Sequence, residues 1–314
     1  MGRGSGFGKV ILYGEHFVVH GVPGIVSAID STADAEVKKI GKGITVIDER
    51  KGAKGYTEKK RVQQKESIQR MLKTMGINPE KASLEIWLGG NLPSFSGIGA
   101  SAASSVAIAR AITEEFEMNL SDERINEVAY EAEKAYAGTP SGIDNTAATY
   151  GGLIWFKRNL SGGANTIERL TIRQPVEIVI GNTGIVADTK EMVAGVAERK
   201  KRNPEKYNAL FEQAEKLAFT ARKALEEFDL REVGKLMNEN HRLLQEIEVS
   251  CRELDYLVHL AGEQGAFGAK LTGGGGGGCM VALTPTKELQ EAVATTMEKE
   301  GFKVLKTKIG IQKT

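Results

Sequence analysis

Apolar and polar positions recur along the chain at two periods, and the changes of period mark its elements. KVILYG is a continuous apolar run, the mark of a buried strand. From 63 to 75 the spacing turns helical, with Ile68, Met71 and Leu72 on one face. Residues 83–88 alternate and predict a strand running into GGNLPSFSGIGASAASS. Helices are predicted over 101–116 and 122–137. Ser121 caps the second, with Asp122 and Glu123 in its first turn, but Arg124 stands where a capping box needs Glu or Gln. The polar stretch 41–60 reads as a hairpin with a mobile tip, and 152–156 and 176–181 read as strands.

The second half turns helical. Asn203-Pro204 starts a helix with proline at its first position. Tyr207, Leu210, Phe211, Ala214, Leu217, Ala218, Ala221 and Leu225 then recur at helical spacing. Helices over 230–246 and 251–263 follow. AFGAKLTG, a run of six glycines, CMVALT, a helix over 287–300 and FKVLKTKIG read as strand, loop, strand, helix, strand. This order predicts an α+β fold in two domains, 1–170 and 171–314, and not a regular βαβ repeat.

Composition narrows the function. Net charge is +1, with no basic block or acidic tail, so neither nucleic acid nor a membrane surface is an expected partner. No apolar run approaches the roughly 18 residues that span a bilayer, and MGRGSGFGK lacks the apolar segment of a secretion signal. Cys251 and Cys279 are too few and too far apart for a disulfide framework, so a reducing cytoplasm is the expected compartment. Glycine is the outlier: 37 of 314 residues, concentrated in a few places, which suggests backbone brought close to a ligand.

Four segments carry candidate chemistry. In Pro93-Ser94-Phe95-Ser96-Gly97-Ile98-Gly99-Ala100-Ser101-Ala102-Ala103 a glycine loop opens a helix of small residues. The free N–H groups and partial positive charge of a helix start attract phosphate, and the Ser101 hydroxyl could bind a phosphate oxygen or Mg²⁺. A tight turn before an alanine-packed helix is the plainer alternative. GxxxxGK[ST] does not occur, and Gly273–Gly278 is followed by a strand pattern, so neither a Walker loop nor a dinucleotide fingerprint is present. Asp144 lies in GTPSGIDN, where an acid could equally be a turn residue. Lys9 with Glu15 and His16 crowds ionisable groups against an apolar strand. Lys270-Leu271-Thr272-Gly273 leads into the six glycines, whose ordering is costly enough to suggest close approach to an anion. His20, His241, His259, Trp87 and Trp155 read as packing, turn or surface residues, and Cys279 as a buried thiol.

GKVILYGEHFVVHG, PSFSGIGASAASS and KLTGGGGGGC, in this order, resemble the three motifs of the GHMP kinase superfamily over nearly the whole chain. The resemblance implies an N-terminal ribosomal-protein-S5-like domain that binds ATP and a C-terminal ferredoxin-like domain. GEHFVVHG and GTPSGIDNTAATYGG are similar to the branch that phosphorylates the C5 hydroxyl of (R)-mevalonate, giving 5-phosphomevalonate for isoprenoid biosynthesis. Position by position, the resemblance makes Asp144 the catalytic aspartate that orients or deprotonates the substrate hydroxyl, and Lys9 the lysine near that Asp and the transferring phosphate. Ser101 and Glu133 become the Mg²⁺ pair, residues 93–103 the ATP loop, and Glu15, His16, Asp144, Thr272 and Gly273 the mevalonate side. Ala100 departs from the usual GLGSS by one hydroxyl, Phe7 stands where Pro is frequent, and Gly274 replaces a common Ala. Another GHMP kinase, acting on phosphomevalonate or a sugar, and a silent GHMP-fold sensor remain as alternatives. The assembly stays open, a homodimer included.

Overall fold

The computed structural model describes residues 1–51 and 56–311. In chain order the elements are β1 (Gly2–Tyr13), α1 (Glu15–Val18), β2 (Gly24–Lys39), β3 (Ile44–Asp48), α2 (Tyr56–Thr74), β4 (Leu84–Gly89), α3 (Ala100–Glu115), α4 (Asp122–Ala137) and α5 (Ile143–Tyr150). There follow β5 (Leu153–Lys157), β6 (Thr166–Leu170), β7 (Val176–Asn182), α6 (Thr189–Arg202), α7 (Pro204–Glu226), α8 (Leu230–Glu246), α9 (Arg252–Glu263), β8 (Gly268–Thr272), β9 (Cys279–Leu283), α10 (Lys287–Lys299) and β10 (Lys303–Ile309). No helix among the described residues is long and apolar enough to cross a membrane. The chain divides into two compact units. One holds 1–9, 30–95 and 99–151; the other holds 10–29, 96–98 and 152–314.

In the first unit β4 pairs antiparallel with the second half of β2, Asp34↔Gly89 through Lys39↔Leu84, and parallel with β3, Ile44↔Leu84 through Asp48↔Leu88. The predicted hairpin over 41–60 is therefore corrected. β3 pairs not with the strand before it but with β4, reached through α2, and makes a βαβ unit. A parallel partner needs a crossover of a dozen residues or more, which α2 supplies. The expected tip falls partly on 52–55, outside the described residues. Helices α2, α3 and α4 pack on this sheet around Val37, Ile68, Leu72, Ile86, Val106, Ile112, Ile125 and Val128.

The glycine-rich start of β1 has a packing reason. A Cβ on Gly2 would meet the Ala111 carbonyl oxygen at 2.0 Å, one on Gly4 that of Ala107 at 2.4 Å, and one on Gly6 that of Ala103 at 2.2 Å. Two residues of strand span about 6.7 Å and four residues of helix about 6 Å, so the two elements stay in step.

The second unit is built on an antiparallel sheet in the order β10–β7–β9–β8. α8 and α9 lie against β8, α9 also against β9, and α10 against β7 and β10. This is the α+β layer the C-terminal pattern predicts. α7 starts with Pro204 and buries Tyr207, Leu210, Phe211, Ala214, Leu217, Ala218, Ala221 and Leu225, as the spacing requires. The first half of β2 pairs with β5, which pairs with β6.

Candidate active site

Within the first unit, Lys9 ends its stretch of β1 with its side chain only 2% exposed, and its ammonium lies 3.1 Å from Asp144 Oδ1. The stem of Lys9 runs across Gly99: a Cβ there would meet Lys9 Cγ at 2.7 Å and Cε at 3.1 Å. Gly99 is the N-cap of α3 and adopts φ 71°, a left-handed conformation that also favours glycine. The acid–lysine couple and the start of the small-residue helix are thus in direct contact. Asp144 stands in the first turn of α5, which begins at Gly142 with φ 94°. Its neighbour Asn145 donates to Asn126 Oδ1 at 2.6 Å and so ties α5 to α4. The Asp144 side chain keeps 35% of its surface exposed, enough for a small hydroxyl to reach it.

Ser101, in the first turn of α3, donates to Glu133 Oε2 at 3.2 Å. Glu133 is buried late in α4, whose N-terminus is capped by Ser121 accepting from the Arg124 N–H. The contact brings together the hydroxyl and carboxylate that the motif resemblance pairs across 32 residues. Two hard oxygens side by side suit Mg²⁺, which takes few protein ligands and completes its shell with phosphate and water oxygens.

The second unit holds the other predicted residues. Glu15 and His16 make up half of the short helix α1. The Lys270 ammonium donates to Glu15 and to the carbonyls of Ile11 at 3.3 Å and Leu271 at 2.7 Å, and both side chains of the pair are fully buried. Asn240 donates to the other Glu15 oxygen at 3.1 Å. A buried ion pair is tolerable only with its remaining polar positions satisfied, and these bonds do that. His16 Nε2 lies 2.9 Å from the Gly274 carbonyl. A carbonyl only accepts, so Nε2 carries the proton and Nδ1 is left as an acceptor. Burial, above all, holds the imidazole below its usual pKa and keeps it neutral. Thr272 Oγ1 accepts from the Ile11 N–H at 2.9 Å. Close packing shapes the glycine run: a Cβ on Gly273 would meet Gly97 Cα at 2.7 Å, and Gly275 through Gly278 all have positive φ.

Sequence reasoning gave no role to two buried cations: Lys270, in the Glu15 cluster, and Arg50, at the start of α3. Lys270 had a visible signal, a lysine inside an apolar strand. Arg50 had none: it follows β3 in the polar stretch, yet its side chain is 5% exposed and bonded to Asp48 and Ser104. His241, read as packing, is buried and accepts from the Leu271 N–H through Nδ1 at 3.3 Å. Cys279 is buried, as expected.

A helix start able to take phosphate, an oxygen pair suited to a hard cation and a lysine-paired acid together describe a phosphotransferase. Comparison with known proteins gives the class. The chain matches the GHMP kinases N terminal domain over 63–152 and the GHMP kinases C terminal domain over 221–303, and the fold is that of a GHMP kinase. Individual proteins narrow it further. Mevalonate kinase from Pyrococcus abyssi is 33% identical over 94% of this chain and 95% of its own length, and that from Thermococcus sibiricus is 32% identical over 96% and 94%. The crystal structure of L. major mevalonate kinase in complex with R-mevalonate superposes with a TM-score of 0.91 at 38% identity, covering 98% of this chain and 96% of that one. The Methanococcus jannaschii mevalonate kinase structure gives 0.79 at 25% identity, covering 98% of each chain. The chain belongs to the mevalonate kinase family.

Proposed function

We propose that this enzyme transfers the γ-phosphoryl group of ATP to the C5 hydroxyl of (R)-mevalonate, yielding 5-phosphomevalonate and ADP in isoprenoid biosynthesis, in the cytoplasm. The observation that carries the reading is the Lys9–Asp144 pair, 3.1 Å apart, with the lysine stem lying on the N-cap of α3. In this reading residues 1–170 act as the ATP-binding domain and 171–314 as the C-terminal domain. The two family matches, 63–152 and 221–303, lie one within each and support the division.

Phosphoryl transfer asks mainly for in-line positioning and for compensation of charge on the transferred group. Residues 93–103 cradle the ATP phosphates, with the free N–H groups of the first turn of α3 aimed at anionic oxygens. Asp144 accepts the C5 hydroxyl proton as that oxygen bonds to the γ-phosphorus and the bond to the ADP oxygen breaks. Lys9 orients the carboxylate and offsets negative charge. Ser101 and Glu133 would hold Mg²⁺, which when bound screens the charge of the phosphate oxygens. Glu15, His16, Thr272 and Gly273 line the mevalonate side, Glu15 through the hold its Lys270 pair has on α1. His16 offers Nδ1 as an acceptor.

General base catalysis supplies about 10²–10⁴-fold. Asp144→Asn keeps the shape and removes the base, so kcat should fall at least about 100-fold while KM for both substrates stays within about threefold. An undiminished kcat in that variant would remove Asp144 from the mechanism.

A further inference from the structure

We infer that Arg50 is a positioning residue for the nucleotide loop, acting through the buried Asp48–Arg50–Ser104 chain at the start of α3. The inference rests on the reading of residues 93–103 as the ATP loop. Arg50 Nε donates to Asp48 Oδ1 at 2.9 Å and Nη2 to Oδ2 at 2.6 Å, a two-point fork with side chains 5% and 9% exposed. The remaining terminal nitrogen, Nη1, donates to Ser104 Oγ at 2.5 Å and reaches the Ala100 carbonyl at 3.4 Å. Ser104 Oγ in turn donates a hydrogen bond to that same carbonyl at 2.6 Å. One residue further, the Lys51 carbonyl accepts from the Ser94 N–H at 2.6 Å. The strip 48–51 therefore holds the loop at two points: Ser94 where the chain enters it, and the first turn of α3 where the chain leaves.

Stability alone is a poor reason for this arrangement. A buried ion pair often contributes no more than well-packed apolar side chains would. What a bidentate guanidinium supplies is fixed geometry. The loop needs it: Gly97 and Gly99 both sit at positive φ, and glycine loses more conformational freedom than any other residue when ordered. If the loop is not ordered beforehand, that entropy is lost on binding nucleotide instead, and affinity falls. The effect should reach the nucleotide and leave the alcohol substrate alone.

The test is Mg·ADP binding by calorimetry together with steady-state kinetics on the wild type, Arg50→Met, Arg50→Lys and Ser104→Ala. Arg50→Met should raise the Mg·ADP Kd and the KM for ATP about tenfold, with KM for mevalonate within about twofold. Lysine lacks the planar fork that grips both Asp48 oxygens while reaching Ser104, so Arg50→Lys should recover only part of the loss. Ser104→Ala removes one link without stranding a charge; it should raise the same two constants about threefold, and it keeps the test decisive if Arg50→Met does not fold. A fall in melting temperature with Mg·ADP affinity unchanged in Arg50→Lys and Ser104→Ala would mean a merely structural arginine and overturn the inference. So would an equal rise in both KM values. A wild type that binds no Mg·ADP would overturn the ATP reading itself, and the inference with it; normal wild-type binding matched by all variants would overturn the inference alone.

Discussion

Any side chain at position 99 would occupy the space that Lys9 needs. A Cβ there would stand 2.7 Å from Lys9 Cγ, and the backbone φ of 71° would be strained as well. Gly99→Ala should therefore displace the ammonium from Asp144 and lower kcat/KM at least about tenfold, since misplacement by an ångström at a reacting centre is costly. A kcat/KM within twofold of wild type would show that the lysine tolerates the shift. Ser101 tests a different link. Its hydroxyl meets Glu133 at 3.2 Å, and Ser101→Ala should raise the Mg²⁺ concentration for half-maximal rate several-fold without changing KM for mevalonate. An unchanged Mg²⁺ titration would remove Ser101 from the cation's ligands. The contacts Lys9–Asp144 and Ser101–Glu133 join residues that the motif resemblance already names. Arg50 was not legible in this way, because its importance comes from which carbonyls and hydroxyls surround it after folding.

Among the elements, β1 and α3 are held at backbone distance by glycines facing one helical stripe. Gly6→Val would drive a branched side chain into the Ala103 carbonyl, where even a Cβ stands at 2.2 Å. Overpacking of this kind costs about 1–3 kcal/mol, so the unfolding midpoint should drop in proportion. Ser5→Ala, on the exposed side of the same strand, should leave the midpoint where it is. Equal midpoints in the two variants would mean that β1 does not need this close approach. The period of apolar residues made most elements legible, since α7, α8 and α9 each bury a regular stripe. Elsewhere the signal was absent for identifiable reasons. Helix α6 buries only Val196, so no stripe forms, and β6 is exposed at all positions but Leu170, so nothing alternates. α1 and α5, at 4 and 8 residues, are too short for a period to show. The first half of β2 is buried on both faces and so shows no alternation. β3 was misread because its partner β4 lies beyond a whole helix.

At the scale of the whole molecule, three histidines tie stability to acid. Burial holds His16 below its usual 6.5, and it holds His20 and His241 down to about 4, with Asp255 partly opposing the shift at His241. In the unfolded chain these rings bind protons near 6.5, while in the fold His20 and His241 stay neutral down to about 4 and His16 is shifted in the same direction. Their contribution is present in full above about 6.5 and is lost as pH falls towards about 4, because the unfolded state then binds more protons. Urea midpoints should be flat from pH 8 to 7 and decline through that window; a flat profile down to pH 5 would contradict the burial argument. The family assignment makes a sharper demand. The most direct measurement is ADP release by the purified enzyme with Mg·ATP and, in turn, (R)-mevalonate, galactose, homoserine and 5-phosphomevalonate. Mevalonate alone should support turnover, with a phosphate appearing on its C5 oxygen. Turnover with galactose or phosphomevalonate and none with mevalonate would contradict the assignment.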